Sequence, residues 1–160
     1  MSRPLKTPAD SAVEMRELVM PNHTNPQNTI FGGQIMSWID IAAAMTATKH
    51  AERNVVTVHV DSITFEAPVK IGYHVLIQAS VNYVGNSSIE IGLKVWSENP
   101  ISGDRKVTTR AYLTFVTIDD FGKPCSVKYG LNPVTDNDKR RYDNAIKRVE
   151  ARKKLRASLK

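Results

Sequence analysis

The sequence predicts an α+β domain in which one long helix lies against an antiparallel sheet. Three observations predict this class. Apolar residues recur three, four and seven positions apart from Gln34 to about Glu52, which is the spacing of a helix face. Four later segments alternate apolar and polar residues and are joined by short links. A chain of 160 residues, 41% hydrophobic and 24% charged, is long enough to bury one core.

The first part of the chain contains an arm, a strand, a loop and the long helix. Residues 1–11 are polar and contain two prolines, so we expect a flexible arm. Residues 12–20 alternate weakly and are predicted to form the first strand. A turn-rich loop at 21–28 leads to Phe31-Gly32-Gly33, which introduces the helix. Three alanines at 42–44 favour close packing of that helix against a sheet.

The remainder is predicted to consist of four strands and a basic helix. Period-two segments occur at 56–65, 75–83, 89–95 and 106–118, and Gly85-Asn86 is typical of a hairpin. Because the links are short, we expect neighbouring strands to pair antiparallel. A narrow apolar stripe from Asp138 to about Leu155 predicts a terminal helix. We therefore expect a domain over 12–135, followed by a basic helix and tail over 136–160.

Charge is distributed unevenly along the chain. The net charge is +6, yet residues 139–160 alone hold ten Lys or Arg against two acidic residues. Such a tail attracts nucleic acid, anionic lipid or a phosphorylated small molecule, or it is simply a solvated helix. The single cysteine, Cys125, excludes an internal disulfide, and no apolar leader or membrane-length run occurs. We expect a cytosolic protein without a membrane partner.

Several common motifs are missing from the sequence. It has no Walker-type loop, no dinucleotide fingerprint and no Gly-x-Ser-x-Gly elbow. The four histidines are not spaced as zinc ligands, so no metal is expected. The basic tail has little aromatic interleaving, so nucleic acid is not the expected partner. No cofactor is indicated.

One stretch, residues 25–40, combines features of a reactive site. Two glycines open a helix whose first N–H groups have no partner in the helix, and such an end carries about half a positive charge. It can therefore polarise a carbonyl and stabilise an oxyanion. Asp40 lies about two turns further on, flanked by Ile39 and Ile41. An acid at the edge of an apolar stripe indicates function, and the alternative is an aspartate on the solvent face.

These residues carry a family resemblance. The run from His23-Thr24-Asn25 through Phe31-Gly32-Gly33 to Trp38-Ile39-Asp40 closely resembles the hotdog-fold acyl-CoA thioesterases. The nearest group contains bacterial broad-specificity hydrolases and animal tandem-hotdog enzymes. The segments 56–65, 86–90 and 106–116 are similar as well, so the resemblance covers about residues 12–155. It implies the hotdog fold, a curved antiparallel sheet wrapped around a long central helix.

The resemblance also implies an assembly and a site. Two protomers pair so that their sheets become continuous, and three such dimers form a hexamer. Each active site lies at the dimer interface, with Asn25 from one subunit and Asp40 from the other. Asp40 would be a general base or a nucleophile, and Asn25 would orient the carbonyl or the water. The backbone of Gly32, Gly33 and Gln34 would form the oxyanion site.

The substrate contacts are implied in the same way. The pantetheine arm of coenzyme A would lie along a strand and its nucleotide near a hairpin and the last helix; the residues are Val58, His59, Val60, Ser87, Ser88, Ile89, Lys147 and Arg148. The expected reaction is hydrolysis of acyl-CoA to a free acid and coenzyme A. The alternatives are an acyl-carrier-protein thioesterase and a non-catalytic module that binds acyl-CoA or nucleic acid through the basic tail.

Overall fold

A five-stranded antiparallel sheet packs around a central helix in the computed structural model, which describes residues 2–160. The helix is α2 (Gly32–Ala51). The strands of the sheet are β2 (Val13–Leu18), β3 (Val55–Phe65), β4 (His74–Val84), β5 (Ser88–Glu98) and β6 (Arg105–Thr117). They lie side by side in the order β2-β4-β5-β6-β3. This is the predicted hotdog architecture, and the α+β class is confirmed.

Helix α2 lies against the inner face of the sheet because one of its faces is apolar and small. Its fully buried apolar residues recur at helical spacing; they are Ile39, Ala42, Ala43, Ala47 and Ala51. The alanines let the helix approach the strands closely. The helix ends where Glu52 takes a left-handed conformation at φ 52°. It begins at Gly32, two residues before the predicted start.

The two faces of the sheet have different chemistry. Side chains alternate along each strand, so Ile77, Ile91 and Leu113 point towards α2 and form the core. The outer face carries polar and charged residues such as Lys94 and Arg110. Across that outer face lies α3 (Asp136–Ser158), the predicted basic helix. The sheet therefore separates α2 from α3.

Strand pairing differs from the prediction at one point. The four predicted strands all form, and β4–β5 and β5–β6 are neighbouring antiparallel pairs as expected. Strand β3, however, pairs with β6 rather than with β4. The link 66–73 is bonded to the loop before α2 instead, with Ile30 N donating to Val69 O at 2.8 Å and Ile71 N to Asn28 O at 3.1 Å. These bonds hold the link against the loop before α2, so β4 does not follow β3 in the sheet and β3 lies at its edge.

The N-terminal segment is more ordered than predicted. The expectation of a flexible arm is wrong for residues 5–11, where β1 (Leu5–Lys6) pairs in parallel with β7 (Gly130–Leu131) and α1 spans Pro8–Ser11. Lys6 Nζ donates to the carbonyls of Lys49 and His50, at 2.9 and 3.0 Å. Unpaired carbonyls at a helix C-terminus attract a cation. A two-residue strand is too short to show a periodicity in the sequence.

Helix α3 is capped at its start and held to the sheet along its length. Thr135 Oγ1 accepts a hydrogen bond from Asp138 N at 3.0 Å, which caps the first turn. Arg148 donates two hydrogen bonds to Glu90, both 2.9 Å. Among the described residues, no helix is both long and apolar enough to cross a membrane.

Candidate active site

Asn25 organises the loop that precedes α2. Its side-chain Oδ1 accepts from Gln27 N at 3.0 Å, Thr29 N at 3.2 Å and Thr29 Oγ1 at 3.1 Å. An asparagine that bonds its own backbone two residues on forms an Asx turn. Since the oxygen is used within the loop, the Nδ2 amide is the part of Asn25 that can serve a ligand. Towards a ligand, Asn25 can therefore act as a hydrogen-bond donor through Nδ2.

Of the three backbone donors predicted at the start of α2, two have no backbone partner. Gln34 N donates to Phe31 O at 3.0 Å, and its role as an oxyanion donor stays a prediction. Gly32 N and Gly33 N have no backbone partner among residues 2–160. A Cβ at 33 would lie 2.9 Å from Phe31 Cε2, and one at 32 would lie 3.3 Å from Phe65 Cζ. Glycine at both positions therefore makes room for two aromatic rings.

Asp40 is held by a threonine that sequence reasoning missed. Thr57 Oγ1 donates to Asp40 Oδ1 at 2.8 Å, joining α2 to β3. The bond fixes one carboxylate oxygen and leaves Oδ2 without a partner in the part of the chain described. The available signal was a hydroxyl residue between Val56 and Val58, but only the packing of β3 against α2 shows which aspartate it meets. Both side chains are exposed in the single chain.

The donors and the acid are separated within one chain. Asp40 lies seven residues after Gly33, about two helical turns or roughly 10 Å along the axis. No hydrogen bond joins Asn25 to Asp40 anywhere in residues 2–160. One carbonyl carbon needs its oxyanion donors and its water-activating base within about 3 Å of neighbouring atoms. A single chain therefore presents two parts of a site rather than one assembled centre.

A free apolar edge borders these groups. Strand β3 is the last strand of the sheet, and three of its valines are well exposed in the single chain: Val56 by 41%, Val58 by 53% and Val60 by 44%. On α2 next to it, Met36 and Ile41 are also exposed. A long edge strand with apolar side chains is a surface that pairs readily with another strand.

The predicted pantetheine strand is irregular. Bulges interrupt the β3–β6 ladder between Thr57 and His59 and between Val60 and Ser62. His59 Nε2 lies 3.3 Å from Asp61 Oδ1, which also accepts from Arg152 at 2.6 Å. The imidazole of His59 is therefore paired with Asp61. The outer backbone edge of β3 has no neighbouring strand within residues 2–160.

The predicted nucleotide residues separate into different environments. Ser87 lies in the turn between β4 and β5 and Ser88 is the first residue of β5; Gly85 N donates to Ser88 O at 2.8 Å. Their hydroxyls remain at a half-buried surface. The side chain of Ile89 is fully buried in the core, so only its backbone could contact a ligand at the hairpin, and its place beside the nucleotide stays a prediction. Residue alternation along β5 turns it inward, towards α2.

Lys147 and Arg148 differ although they are adjacent. Lys147 is exposed on α3. Arg148 lies over the ring of Tyr112 at 3.7 Å and donates both bonds to Glu90, whose side chain is 2% exposed. The guanidinium therefore holds α3 to the sheet, and a contact of Arg148 with the nucleotide stays a prediction.

The described residues contain no cluster of His, Cys, Asp and Glu that could hold a metal ion.

A central helix wrapped by a curved sheet, with an acid on the helix and glycines at its start, defines a hotdog-fold thioesterase. Residues 27–103 match the model of the thioesterase superfamily.

Curated relatives agree with this class. The chain is 36% identical over 144 residues to the uncharacterized acyl-CoA thioester hydrolase YkhA of Bacillus subtilis, covering 90% of this chain and 83% of that protein. It is 39% identical over 113 residues to the acyl-CoA thioester hydrolase YciA of Escherichia coli, covering 69% and 86%. The chain belongs to the thioesterase superfamily, within its acyl-CoA thioester hydrolases.

Solved structures show the same fold. One is the acyl-CoA hydrolase of Staphylococcus aureus in complex with butyryl coenzyme A, coenzyme A and coenzyme A disulfide. It matches with a TM-score of 0.90 at 39% identity, covering 97% of this chain and 94% of that one. An apo-hexameric acyl-CoA thioesterase matches with a TM-score of 0.93 at 38% identity, covering 98% and 99%.

Proposed function

We propose that this protein hydrolyses acyl-CoA thioesters to a free carboxylic acid and coenzyme A, with Asp40 as the general base. The observation that carries the proposal is the hydrogen bond from Thr57 to one oxygen of Asp40. It orients the carboxylate and leaves the second oxygen to take a proton from water. General-base catalysis of this kind contributes about 10²–10⁴-fold to a rate.

The other groups match the remaining needs of the reaction. Water attacks the thioester carbonyl carbon, Asp40 takes the water proton, and the carbonyl oxygen becomes an oxyanion. The Nδ2 amide of Asn25 and the N–H groups of Gly32 and Gly33 are donors suited to that oxygen. Collapse of the tetrahedral intermediate breaks the carbon–sulfur bond, and coenzyme A leaves as a thiol after it takes up the proton.

The spacing of variants in a similar protein supports these assignments. Structures of the Staphylococcus aureus hydrolase include alanine variants of an asparagine, an aspartate and a threonine, which are separated by 15 and then 17 residues. Asn25, Asp40 and Thr57 have the same two separations. Acylated coenzyme A as substrate is further supported by the coenzyme A ligands in that protein's structures.

We also propose that the site is completed by a second copy of the chain. The roughly 10 Å between Gly33 and Asp40 along α2 is too long for both to act on one carbonyl. The exposed edge of β3, with Val56, Val58 and Val60, offers the surface for antiparallel pairing with a partner. Asn25 and the glycines of one subunit would then face Asp40 of the other. The hexameric state of a structurally similar thioesterase supports a trimer of such dimers.

Turnover on a panel of thioesters tests the proposal. Short-, medium- and long-chain acyl-CoAs and the matching acyl-carrier-protein thioesters are assayed by thiol release. We expect turnover of acyl-CoA and at least a 100-fold lower kcat in a folded, assembled Asp40→Ala protein. Hydrolysis of only the carrier-protein substrates would favour the alternative enzyme. Absence of turnover, or near-normal turnover by Asp40→Ala, would refute the mechanism.

The cytosolic location stays a prediction.

A further inference from the structure

Helix α3 crosses the outer face of the sheet strand by strand. Tyr142 contacts β4, Arg148 contacts β5 and β6, and Arg152 contacts β3, which is the order of these strands in the sheet. The stretch from Tyr142 to Arg152 spans about 15 Å of helix, and four neighbouring strands occupy about 14 Å from the first to the last. The helix therefore runs nearly at right angles to the strands and reaches the edge strand β3 at Arg152.

The end of α3 extends past that edge. The helix continues to Ser158, with Leu159 as its C-cap. Leu155 and Leu159 lie about 4.5 and 10 Å further along the helix axis than Arg152. No strand of this sheet lies beyond β3 within residues 2–160, and the two leucines are 60% and 78% exposed. The last two turns therefore have an apolar side that this chain does not cover.

The exposed leucines belong to the side of α3 that faces the sheet. The buried Ala145 and two arginines paired with the sheet, Arg148 and Arg152, define that side. Leu155 and Leu159 continue the series, whose members are separated by three, four, three and four residues, which is the spacing of one helix face. The two leucines therefore point towards the level of the sheet rather than away from the domain.

A second copy paired along β3 would occupy the space below these leucines. The exposed valines of β3 make it an edge suited to antiparallel pairing. Neighbouring strands lie about 4.8 Å apart, so the partner's β3 and the strand after it would lie about 5 and 10 Å beyond this edge. These distances match the positions of Leu155 and Leu159 along α3. The sheet of the partner thus supplies the surface that this chain lacks.

We propose that the last two turns of α3 dock on the outer face of the partner subunit's sheet, with Leu155 and Leu159 as the contacts. This inference rests on the dimer proposed above, and two-fold symmetry gives each dimer two such contacts. A basic helix end with two leucines could instead bind an anionic membrane, but a helix lying on lipid turns its apolar side away from the domain. Because the leucines face the level of the sheet, a second copy is the favoured occupant.

Photo-crosslinking in the assembled protein tests which surface the leucines contact. The photoreactive residue benzoylphenylalanine replaces Leu159, and assemblies are mixed from isotopically light and heavy subunits, so that mass spectrometry distinguishes links within one chain from links between chains. The control carries the same residue in place of Ala157, which is exposed on the opposite side of the helix. We expect links from position 159 to the sheet of the other chain and none from position 157. Links from position 159 only to its own chain, or no links at all, would overturn the docking.

Sedimentation over a dilution series measures what the contact contributes to assembly. Leu155→Ser/Leu159→Ser should weaken the Kd between subunits at least 10-fold, because it removes the apolar surface that docking takes out of water. The matched control, Ala151→Ser/Ala157→Ser, introduces the same polar residue twice outside the stripe and should change Kd less than 2-fold. Equal weakening in both double variants would mean that helix propensity explains the effect, and would overturn the proposal.

Vesicles test the membrane alternative. We expect no leucine-dependent binding of the assembled protein to vesicles of phosphatidylcholine and phosphatidylglycerol in equal amounts. Co-sedimentation that is lost in Leu155→Ser/Leu159→Ser would overturn the proposal. All of these readouts measure contacts and not thiol release. Turnover without a link between chains would therefore contradict only this contact, whereas linked assemblies that do not hydrolyse acyl-CoA would contradict only the proposed reaction.

Discussion

The hydrogen bond between Thr57 and Asp40 makes a quantitative prediction about catalysis. Thr57→Val keeps the shape of the side chain and removes the donor that lies 2.8 Å from Asp40 Oδ1. A hydrogen bond to a charged group contributes about 1.5–3 kcal/mol. Because both side chains are exposed in the single chain, we take the lower end, and about 1.4 kcal/mol corresponds to tenfold in rate. We expect kcat to fall about 10-fold while KM changes little.

A double-mutant cycle separates positioning from a general loss of fold. Thiol release is measured for wild type, Thr57→Val, Asp40→Ala and the double variant, with Thr57→Ser as the control that keeps the hydroxyl. If Thr57 acts through Asp40, its replacement has no further effect once Asp40 is alanine. An equal 10-fold loss in both backgrounds, or an unchanged kcat in Thr57→Val, would refute the role we assign to this bond.

Three further predictions concern assembly, α3 and pH. Mixing inactive Asn25→Ala and Asp40→Ala subunits should restore part of the activity, since one interface site in each mixed dimer regains both residues; verified mixed dimers without activity would contradict a shared site. Arg148→Ala should lower the free energy of unfolding by about 3 kcal/mol because it leaves Glu90 buried and unpaired, and Glu90→Gln in the same chain should recover part of that loss in urea denaturation. Burial, together with the charges of Lys6 and Arg3, lowers the pKa of His50 below its usual 6.5. The unfolded chain then binds more protons, so stability should fall as pH drops below about 6.5, and the fall should be smaller in His50→Gln; equal pH dependence would contradict it.

The fold could be predicted from the sequence where a period extends over many residues. The long helix and the four strands of about eleven residues each show their own repeat, so their existence followed from the residues alone. The pairing of β3 with β6 could not be predicted in this way, because the path of the link 66–73 determines which strand lies beside β3. That link is bonded to the loop before α2 and is too irregular to carry a repeat. The strand Leu5–Lys6 was missed for the same reason, since two residues cannot show alternation.

The candidate site was predictable only as far as each residue carries its own signal. Asp40 and the glycine pair stand out by type and position, and the family resemblance supplied Asn25. Thr57 has no such signal, because its contact depends on how β3 packs against α2. The hydrogen bond of Gln34 N–H to Phe31 O likewise depends on the local turn, which its residue type does not indicate.

Burial decides what the positive charges of the terminal helix can do. Counting residues treats its nine Lys and Arg as equivalent, yet Arg148 and Arg152 are paired with Glu90 and Asp61 on the sheet. A guanidinium that pairs with a buried carboxylate stabilises the docking of the helix, and its charge is balanced by that carboxylate. Arg140 and Arg141, in the first turns, form no ion pair within residues 2–160. Two carboxylates on the outer face thus divide one basic helix into a part that is paired with the sheet and a part whose cations are not paired.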